Sequence, residues 1–301
     1  PLPIARNAAI EPAALALASP VAAKLAVAKR HLQADPPEIA PAKEAWVSAA
    51  AAVSHPVWKA MFPAAMTDAT VEARMLYHAG LGKTAQECDT SFETLRRMGG
   101  NATLHSLGSW MSVIHHSKLL PIEPEWEQFD ALKYSIESAR RRGFKSFGYI
   151  AALYGTNNPP SGPDSLYSKH RDWFATGPDS SMPTFLDSAN PDVGDFIVKL
   201  FVELASKYDL DGIGLDYIRY PTETSLNYDQ RNRDEILRRY NIDIFVGGDA
   251  SRDPAKWAKI QEYRAETVGM LVKRVRDAVK QVKPRMSVIA CLISEPDDCY
   301  H

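Results

Sequence analysis

Along most of this chain, short apolar runs alternate with segments in which apolar residues recur every three or four positions. This alternation predicts strands that are each followed by helices. Short apolar runs predict five strands, at residues 71–78, 101–107, 144–153, 212–218 and 286–292. Apolar residues spaced by three and four positions predict five helices, at residues 84–98, 125–142, 191–207, 229–239 and 254–282. Strands that alternate with helices in this way predict a parallel sheet joined by right-handed crossovers.

The connection lengths favour one α/β architecture. Most connections from a strand to the next helix are long, and those from a helix to the next strand are short, which is typical of a (β/α)8 TIM-type barrel. A doubly wound open sheet is the alternative, although no GxGxxG motif follows the first strand. The pattern gives about five strands where a barrel has eight. We therefore expect an incomplete barrel, closed by a further C-terminal segment or by a partner chain.

The N-terminal part of the chain has a different composition. Residues 1–66 are rich in Ala and Pro, and they predict a helical arm or linker with helices near 12–33, 43–53 and 56–61. The strand–helix pattern begins after this arm. We therefore divide the chain into an arm, residues 1–66, and a barrel domain, residues 67–301.

Composition excludes several classes of partner. The net charge is −2, so no basic surface for nucleic acid is expected. No uncharged apolar run is long enough to span a bilayer. The three cysteines are too few and too scattered for a zinc site, and the adjacent pair His115 and His116 lacks a nearby acid, so we expect no metal and no cofactor.

The segment 208–221, YDLDGIGLDYIRYP, carries the strongest chemical signal. It predicts a short buried strand with Asp216 near its end, and a carboxylate in such a strand is costly to bury without a partner or a function. One interpretation is a structural Asp bonded to a neighbouring strand or to Arg219. The other is a catalytic or ligand-binding Asp, because parallel strands build their sites at their C-terminal ends.

Several ordered motifs give the chain a family resemblance. HRDWF at 170–174, the block at 185–221, and Lys283-Pro284 before Met286-Ser287-Val288 all contribute to it. With these motifs, the segment from about 72 to 300 resembles the bacterial glycosyl hydrolase-like family 10, a group of (β/α)8 glycosidases. The resemblance implies a glycosidase, and some of the relatives cleave peptidoglycan glycan strands.

The chain departs from its relatives at two positions. Tyr217 stands where many of them have a second acid after Asp216. Gly214 stands where the distantly similar amylase clan has an Arg. An amylase-like mechanism is therefore not assumed.

Glycoside hydrolysis needs two carboxyl groups, one that protonates the leaving oxygen and one that attacks or activates water. We expect Asp216 to be the first. Glu295, just past the fifth strand, is the best second, and Asp297 and Asp298 compete with it. The alternative for Glu295 is a solvated loop acid.

Six further residues are candidates for contact with sugar. Four of them have a structural alternative: a helix cap or turn for Asp187, a packed loop anchor for His170 and Trp173, and an ion pair with Asp216 for Arg219. The set is Tyr149, His170, Trp173, Asp187, Tyr217 and Arg219.

We expect an extracytoplasmic, secreted or periplasmic, glycoside hydrolase that acts on a polysaccharide or glycan. A non-catalytic carbohydrate-binding or scaffold protein in a larger assembly is the alternative. The low strand count and the unmatched arm, residues 1–66, favour this second possibility.

Overall fold

The computed structural model describes residues 22–31, 33–34, 41, 45, 74–77, 80–155, 162–179, 184–220, 227–247 and 252–291. Within the N-terminal arm, residues 22–31 form a helix, inside the range predicted for the first one. The helices predicted at 43–53 and 56–61 lie outside the described residues, apart from residue 45.

The strands form one five-stranded sheet in chain order, β1-β2-β3-β4-β5. The pairs β1–β2, β3–β4 and β4–β5 are parallel. The α/β prediction is therefore confirmed. The strands are β1 (Met75–Tyr77), β2 (Ala102–Ser109), β3 (Lys145–Ala151), β4 (Gly212–Asp216) and β5 (Ser287–Ala290).

Helices lie between the strands, as the three- and four-residue spacing predicts. The five long helices are α1 (Ala85–Arg97), α2 (Ala131–Arg141), α3 (Pro191–Lys207), α4 (Gln230–Tyr240) and α5 (Pro254–Val282). The helix predicted at 125–142 is shorter than expected. Pro124–Trp126 forms a 3-10 turn, and α2 begins only where the Asp130 carboxylate accepts the Lys133 N–H at 3.0 Å.

Two helices on the sheet start with the same local signal. Asn190 and Asp253 each accept a backbone N–H of the first turn, and the next residue is proline, which cannot donate there anyway. The helices that follow are α3 and α5. They pack along each other, and α5 also contacts β5. Local sequence therefore fixes where these helices begin.

The chain divides into two compact units. One consists of Pro1–Leu104 with Glu137–Lys145, and its buried cluster is Phe92, Leu95, Ala139 and Phe144. The other consists of His105–Ile136 with Ser146–His301. Its core includes the buried faces of β4 and α3, namely Ile213, Leu215, Val193, Ile197, Leu200, Phe201 and Leu204.

The segment after β2 brings two histidines to the C-terminal end of α3. Val113 pairs antiparallel with Gly108, so the chain turns back along β2. The His116 N–H then donates to the Tyr208 hydroxyl at 3.1 Å, and the His115 ring meets the Tyr208 ring edge-on at 5.7 Å. The Lys207 ammonium also donates to the His116 carbonyl oxygen at 2.6 Å, so the pair lies against the C-terminal end of α3.

His115 is 1% exposed, and neither of its ring nitrogens has a hydrogen-bond partner among the residues that the structure describes. Burial lowers its pKa to about 4, although Glu203 and Asp130 act in the other direction. The neutral ring is therefore the form that the fold accommodates.

We predict that His115 makes this fold sensitive to acid. The unfolded chain binds a proton near the model value of 6.5 and the folded chain only near 4, so stability falls as pH falls through this window. Between pH 7 and pH 4 this group should cost about 3 kcal/mol of unfolding free energy. Urea unfolding of the parent and of His115→Met at both pH values measures it. A difference between the two proteins that is independent of pH would contradict the prediction.

Candidate active site at the end of the fourth strand

Glycines alternate along β4 and leave one of its faces flat. A Cβ atom at Gly214 would lie 2.9 Å from the Tyr149 Cβ atom, and one at Gly212 would lie 2.6 Å from the Phe147 ring. The side chains of β3 therefore lie over the backbone of β4. The same contact fits the presence of glycine where the amylase clan has an arginine, because any side chain at position 214 would begin 2.9 Å from the Tyr149 Cβ atom.

Asp216 lies at the tip of this flat face. It is the last residue of β4 and pairs with Ala151 of β3, which puts it on the same face as Gly214 and Tyr149. The Asp216 side chain is half-buried, and its Oδ1 atom accepts the Tyr217 N–H at 2.8 Å. Within the described part of the chain, this is the carboxylate's one hydrogen bond, and no ion pair reaches it. The Oδ2 atom accepts no hydrogen bond from the described residues.

Aromatic and cationic groups form a stack beside Asp216. The Tyr217 ring lies 4.9 Å from the Tyr154 ring, which in turn lies 4.8 Å from the Phe185 ring. The Arg219 guanidinium covers the Tyr217 ring at 4.5 Å. The ion pair of Arg219 with Asp216, considered as an alternative, is not formed among the described residues. Arg219 instead contributes a cation–π contact that fixes the Tyr217 ring.

Tyr149 brings a phenol to the same end of the sheet. It is 7% exposed, and the Ser106 side chain of β2 hydrogen-bonds its hydroxyl. Burial raises the pKa of Tyr149, and the negative charge of Asp216 adds to this effect. The phenol is therefore held protonated next to the carboxylate. Cys291, just past β5, also raises the pKa of Tyr149.

Asp187 lies in a different and fully enclosed environment. It is 1% exposed, and its Oδ1 atom accepts the Tyr220 hydroxyl at 2.7 Å and the Ala189 N–H at 3.0 Å. The Asn227 amide reaches the same oxygen at 3.3 Å, and the Asn232 amide reaches Oδ2 at 2.8 Å. Protein donors thus occupy both oxygens. The turn interpretation of Asp187 fits this geometry, and a contact between Asp187 and sugar stays a prediction.

Further bonds extend this group into α5, and we call the whole set the Asp187 network. The Arg231 guanidinium lies 3.9 Å from the Asp187 Oδ2 atom. Burial raises the pKa of Asp187, while the Tyr220 hydrogen bond lowers it. Three residues of α5 complete the network. The Tyr263 hydroxyl donates to the Asn232 side chain, and the Arg264 guanidinium donates to the Asn227 side chain. The Thr267 hydroxyl is hydrogen-bonded to the Ser188 hydroxyl.

His170 and Trp173 are anchored on α3. Their rings stack at 4.0 Å, and Trp173 also meets Phe196 of α3 at 5.4 Å. The Trp173 carbonyl oxygen accepts the Asp187 N–H at 2.8 Å. Both side chains stay half-exposed, so a contact with sugar stays a prediction beside the anchoring role. Glu295, Asp297 and Asp298 lie outside the described residues.

Sequence analysis missed two features of this region. Ser106 gave no signal, because a serine within an apolar strand has no distinctive pattern. Asn227 and Asn232 looked like ordinary polar residues of an insertion, since their partner Asp187 lies 40 and 45 residues earlier in the chain. Only a contact map could have found them.

A groove of about 520 Å³ lies near the Asp187 network but does not include Asp216. It runs between the start of α3, α4 and α5. Its charged lining consists of Arg231, Asp234, Glu235, Arg238, Arg239 and Arg274. No group of three or more His, Cys, Asp or Glu residues in the described ranges could hold a metal ion. No described helix is long and apolar enough to cross a membrane.

We predict that Tyr220→Phe destabilises the fold by about 2–3 kcal/mol. The substitution removes a donor to a buried carboxylate and leaves the Ser188 N–H and the Asn227 amide short of an acceptor. Urea unfolding checks this. Tyr240→Phe, on the half-exposed face of α4, is the matched control and should change stability by less than about 0.5 kcal/mol. If the two substitutions lower the free energy of unfolding equally, the hydrogen bonds of Tyr220 do not contribute to stability.

Two solved structures share the fold of this chain. One is the alpha-L-fucosidase isoenzyme 2 from Paenibacillus thiaminolyticus, with a TM-score of 0.53 and 16% identity, covering 73% of this chain and 32% of that one. The other is the PgaB (BpsB) glycoside hydrolase domain from Bordetella bronchiseptica, with a TM-score of 0.51 and 12% identity, covering 76% and 69%. Both are TIM-barrel glycosidases, so the predicted fold class is confirmed.

Curated relatives agree with this result. The chain is 25% identical over 253 residues to Glycosyl hydrolase DigH of Escherichia coli strain K12, covering 78% of this chain and 52% of the relative. It is 23% identical over 211 residues to Glycosyl hydrolase YngK of Bacillus subtilis strain 168, covering 66% and 38%. The chain thus spans about half the length of DigH and less of YngK.

A family model decides the assignment. The model described as Glycosyl hydrolase-like 10 matches residues 110–294, which is more than half of the chain and includes Asp216. The resemblance inferred from the HRDWF motif and the 185–221 block is therefore confirmed. This chain belongs to the glycosyl hydrolase-like 10 family.

Proposed function

We propose that this chain is the catalytic part of a glycoside hydrolase that cleaves a polysaccharide or glycan, with Asp216 as one of its two catalytic carboxylates. The observation that carries the proposal is the position, the exposure and the hydrogen bonding of the Asp216 carboxylate. It ends a central strand of a barrel-type sheet, stays half-exposed, and has one oxygen free of hydrogen bonds among the described residues. Catalytic side chains of such barrels come from this end of the strands.

The contrast with Asp187 supports the proposal. Both residues are aspartates near strand or helix ends, yet among the described residues Asp187 has donors on both oxygens and Asp216 has a single donor. A carboxylate that only stabilises the fold is expected to be enclosed and fully bonded, because an unpaired buried charge is costly. Asp216 is neither. Its neighbours Tyr149, Tyr217 and Arg219 supply the phenol, aromatic face and cation that sugars and their hydroxyl groups can contact.

The reaction requires a second carboxyl group. Asp216 would attack the anomeric carbon or activate water, and Glu295 would protonate the leaving oxygen. Glu295 follows β5, the strand paired with β4, so both carboxyl groups would come from adjacent strands. The separation of the two carboxyl groups would then set the stereochemistry, with a short distance for retention and a longer one for inversion.

The names of similar proteins support a carbohydrate substrate. DigH and YngK are named glycosyl hydrolases, and the PgaB domain is named a glycoside hydrolase domain. An extracytoplasmic location and completion of the barrel by a further segment or partner chain belong to the same proposal. We base the latter on the sheet of five described strands and on the coverage of the relatives, since the match spans only 52% of DigH.

We predict that Asp216→Asn abolishes hydrolysis, with a loss of at least about 10³-fold in kcat/KM. The substitution keeps the shape and the Tyr217 contact but removes the charge. The assay measures new reducing ends from peptide-free peptidoglycan glycan strands, chitin oligosaccharides, amylose and xylan. Asp192→Asn, at an exposed position of α3, is the matched control and should retain parental activity.

Two outcomes would decide against the proposal. Full activity in Asp216→Asn would remove Asp216 from the mechanism. Glycan binding without hydrolysis by the parent chain would favour the alternative, a non-catalytic carbohydrate-binding or scaffold protein. Isothermal titration with the same glycans measures that binding directly.

We predict a different signature for Glu295→Gln. Loss of a general acid should lower kcat by about 10²–10⁴-fold on glycans, whose leaving groups need a proton. The loss should be much smaller on aryl glycosides with acidic phenol leaving groups. Asp297→Asn and Asp298→Asn, two and three residues further on, are the controls. If one of these variants shows the leaving-group dependence instead, that residue is the acid.

A further inference from the structure

The groove beside the Asp187 network is large enough for a ligand. Its volume of about 520 Å³ lies within the range of pockets that bind small molecules, roughly 300–1,000 Å³. It is built wholly within the second compact unit, from the turn before α3, from α4 and from α5. Asp216 is not among its lining residues, so the proposed reaction leaves the groove unexplained.

The groove lies at the same edge of the sheet as Asp216. The Leu186 N–H donates to the carbonyl oxygen of Leu153, two residues past β3, at 2.8 Å. Ser188 lines the groove, and its N–H donates at 3.1 Å to the hydroxyl of Tyr220, four residues past the end of β4. These two bonds hold the turn before α3 beside the C-terminal ends of β3 and β4.

Apolar side chains of α5 line one side of the groove. Tyr263 and Leu271 are each 2% exposed, whereas Met270 is 50% exposed. An exposed methionine inside a concave surface is adaptable contact area for a ligand. The carbon-bound hydrogens on the face of a sugar ring are a suitable partner for such a surface.

Most of the charge in the groove is already paired within the protein. The Glu235 carboxylate accepts from Arg238 at 2.7 and 2.9 Å and from Arg239 at 2.5 Å. Arg274 forms an ion pair with Asp195. A strongly anionic ligand would have to compete with these carboxylates for the guanidinium groups. The groove therefore favours an uncharged ligand.

The groove still has hydrogen-bond donors to offer. Arg231 makes no hydrogen bond to a described residue, since its closest acceptor is the Asp187 Oδ2 atom at 3.9 Å, and its side chain is 44% exposed. Arg238 uses its Nε and Nη2 atoms for Glu235, and its Nη1 atom has no hydrogen bond to a described residue. Guanidinium groups present their donors as a planar fork, which suits two neighbouring hydroxyl oxygens.

We propose that this groove is an accessory glycan-binding site, separate from the site at Asp216, that holds a glycan through its hydroxyl groups and ring faces rather than through acidic groups. The apolar side of α5 contacts the sugar rings, and Arg231 and Arg238 donate to the hydroxyl oxygens. The class of ligand rests on the proposed function, because a chain that cleaves glycans meets them as its substrate. A second site on the same edge of the sheet would keep a long glycan close to Asp216.

Methionine methyl groups can locate the binding directly. NMR spectra of the chain with ¹³C-methyl methionine, carrying Asp216→Asn to prevent turnover, are recorded while each glycan of the panel above is added. We expect the Met270 signal, assigned through Met270→Leu, to shift with at least one glycan. Met286, which is 3% exposed and precedes β5, is the control and should not shift. A Met270 signal that stays unmoved with every glycan would overturn the proposal.

Isothermal titration tests the arginines in the same Asp216→Asn background. With the glycan that shifts Met270, Arg231→Ala and Arg238→Ala should each lower the affinity about 3–10-fold, as expected for a lost hydrogen bond. Arg276→Ala is the matched control, since Arg276 is an exposed arginine of α5 outside the groove, and it should retain the parental affinity. Unchanged affinity in both groove variants would contradict the proposal.

Salt and charge distinguish hydroxyl binding from anion binding. The affinity should change less than about twofold between 50 and 500 mM NaCl, because salt screens ion pairs. Peptide-free peptidoglycan strands and their carboxyl-reduced form should bind with affinities within about threefold of each other. A loss of more than about tenfold on reduction or in high salt would show that the groove holds an acidic group, and the proposal would be wrong.

The outcomes separate this site from the proposed function. If the parent hydrolyses a glycan but no glycan shifts Met270, the groove is not a glycan site and the proposed function stands. If Met270 shifts and the groove variants bind less tightly but the parent hydrolyses nothing, the site stands and the proposed function fails. If the chain neither hydrolyses nor binds any glycan, both are wrong.

Discussion

The buried charge of Asp187 is the constraint on which this half of the molecule depends. A carboxylate that is 1% exposed must find its donors inside the protein, or the cost of burial would exceed what the fold can offset. It finds them in Tyr220, four residues after Asp216, and in Asn227 and Asn232 of the insertion. One carboxylate therefore joins Tyr220, just beyond β4, to Asn227 and Asn232.

The packing of β3 over β4 determines where the Asp216 side chain becomes exposed. Gly212 and Gly214 have no side chains, so Phe147 and Tyr149 of β3 pack directly over the β4 backbone. Asp216 is therefore the first residue with a side chain on this face of β4. Tyr217 then turns the backbone away, and its N–H bonds the carboxylate. Two aspartates thus have opposite environments: Asp187 is buried and accepts hydrogen bonds on both oxygens, whereas Asp216 is half-exposed and accepts one hydrogen bond from the described residues.

Much of the fold follows from local sequence. The bounds of α3 and α5 could be predicted almost to the residue, since Asn190-Pro191 and Asp253-Pro254 give caps and helix starts that need no distant partner. α2 could not, because whether residues 125–130 join the helix depends on Pro124 and on the Asp130 cap. The environment of His115 was also beyond the sequence, since it depends on where the chain turns after β2. The candidate site divides in the same way: Asp216 was evident from its strand, but the contacts of Arg219 and Asp187 were not.

The sequence by itself determined the order of strands and helices, the family, and the position of Asp216 at the end of a buried strand. These depend on periodicity, caps and motifs, all of which act within about 20 residues. The tertiary structure decided which polar residues are free. Arg219 stacks on Tyr217 rather than pairing with Asp216. The Asp187 carboxylate accepts hydrogen bonds from residues 33 to 45 positions away in the chain. Hydrogen bonds between distant segments leave no periodic trace, so only the folded chain could assign them.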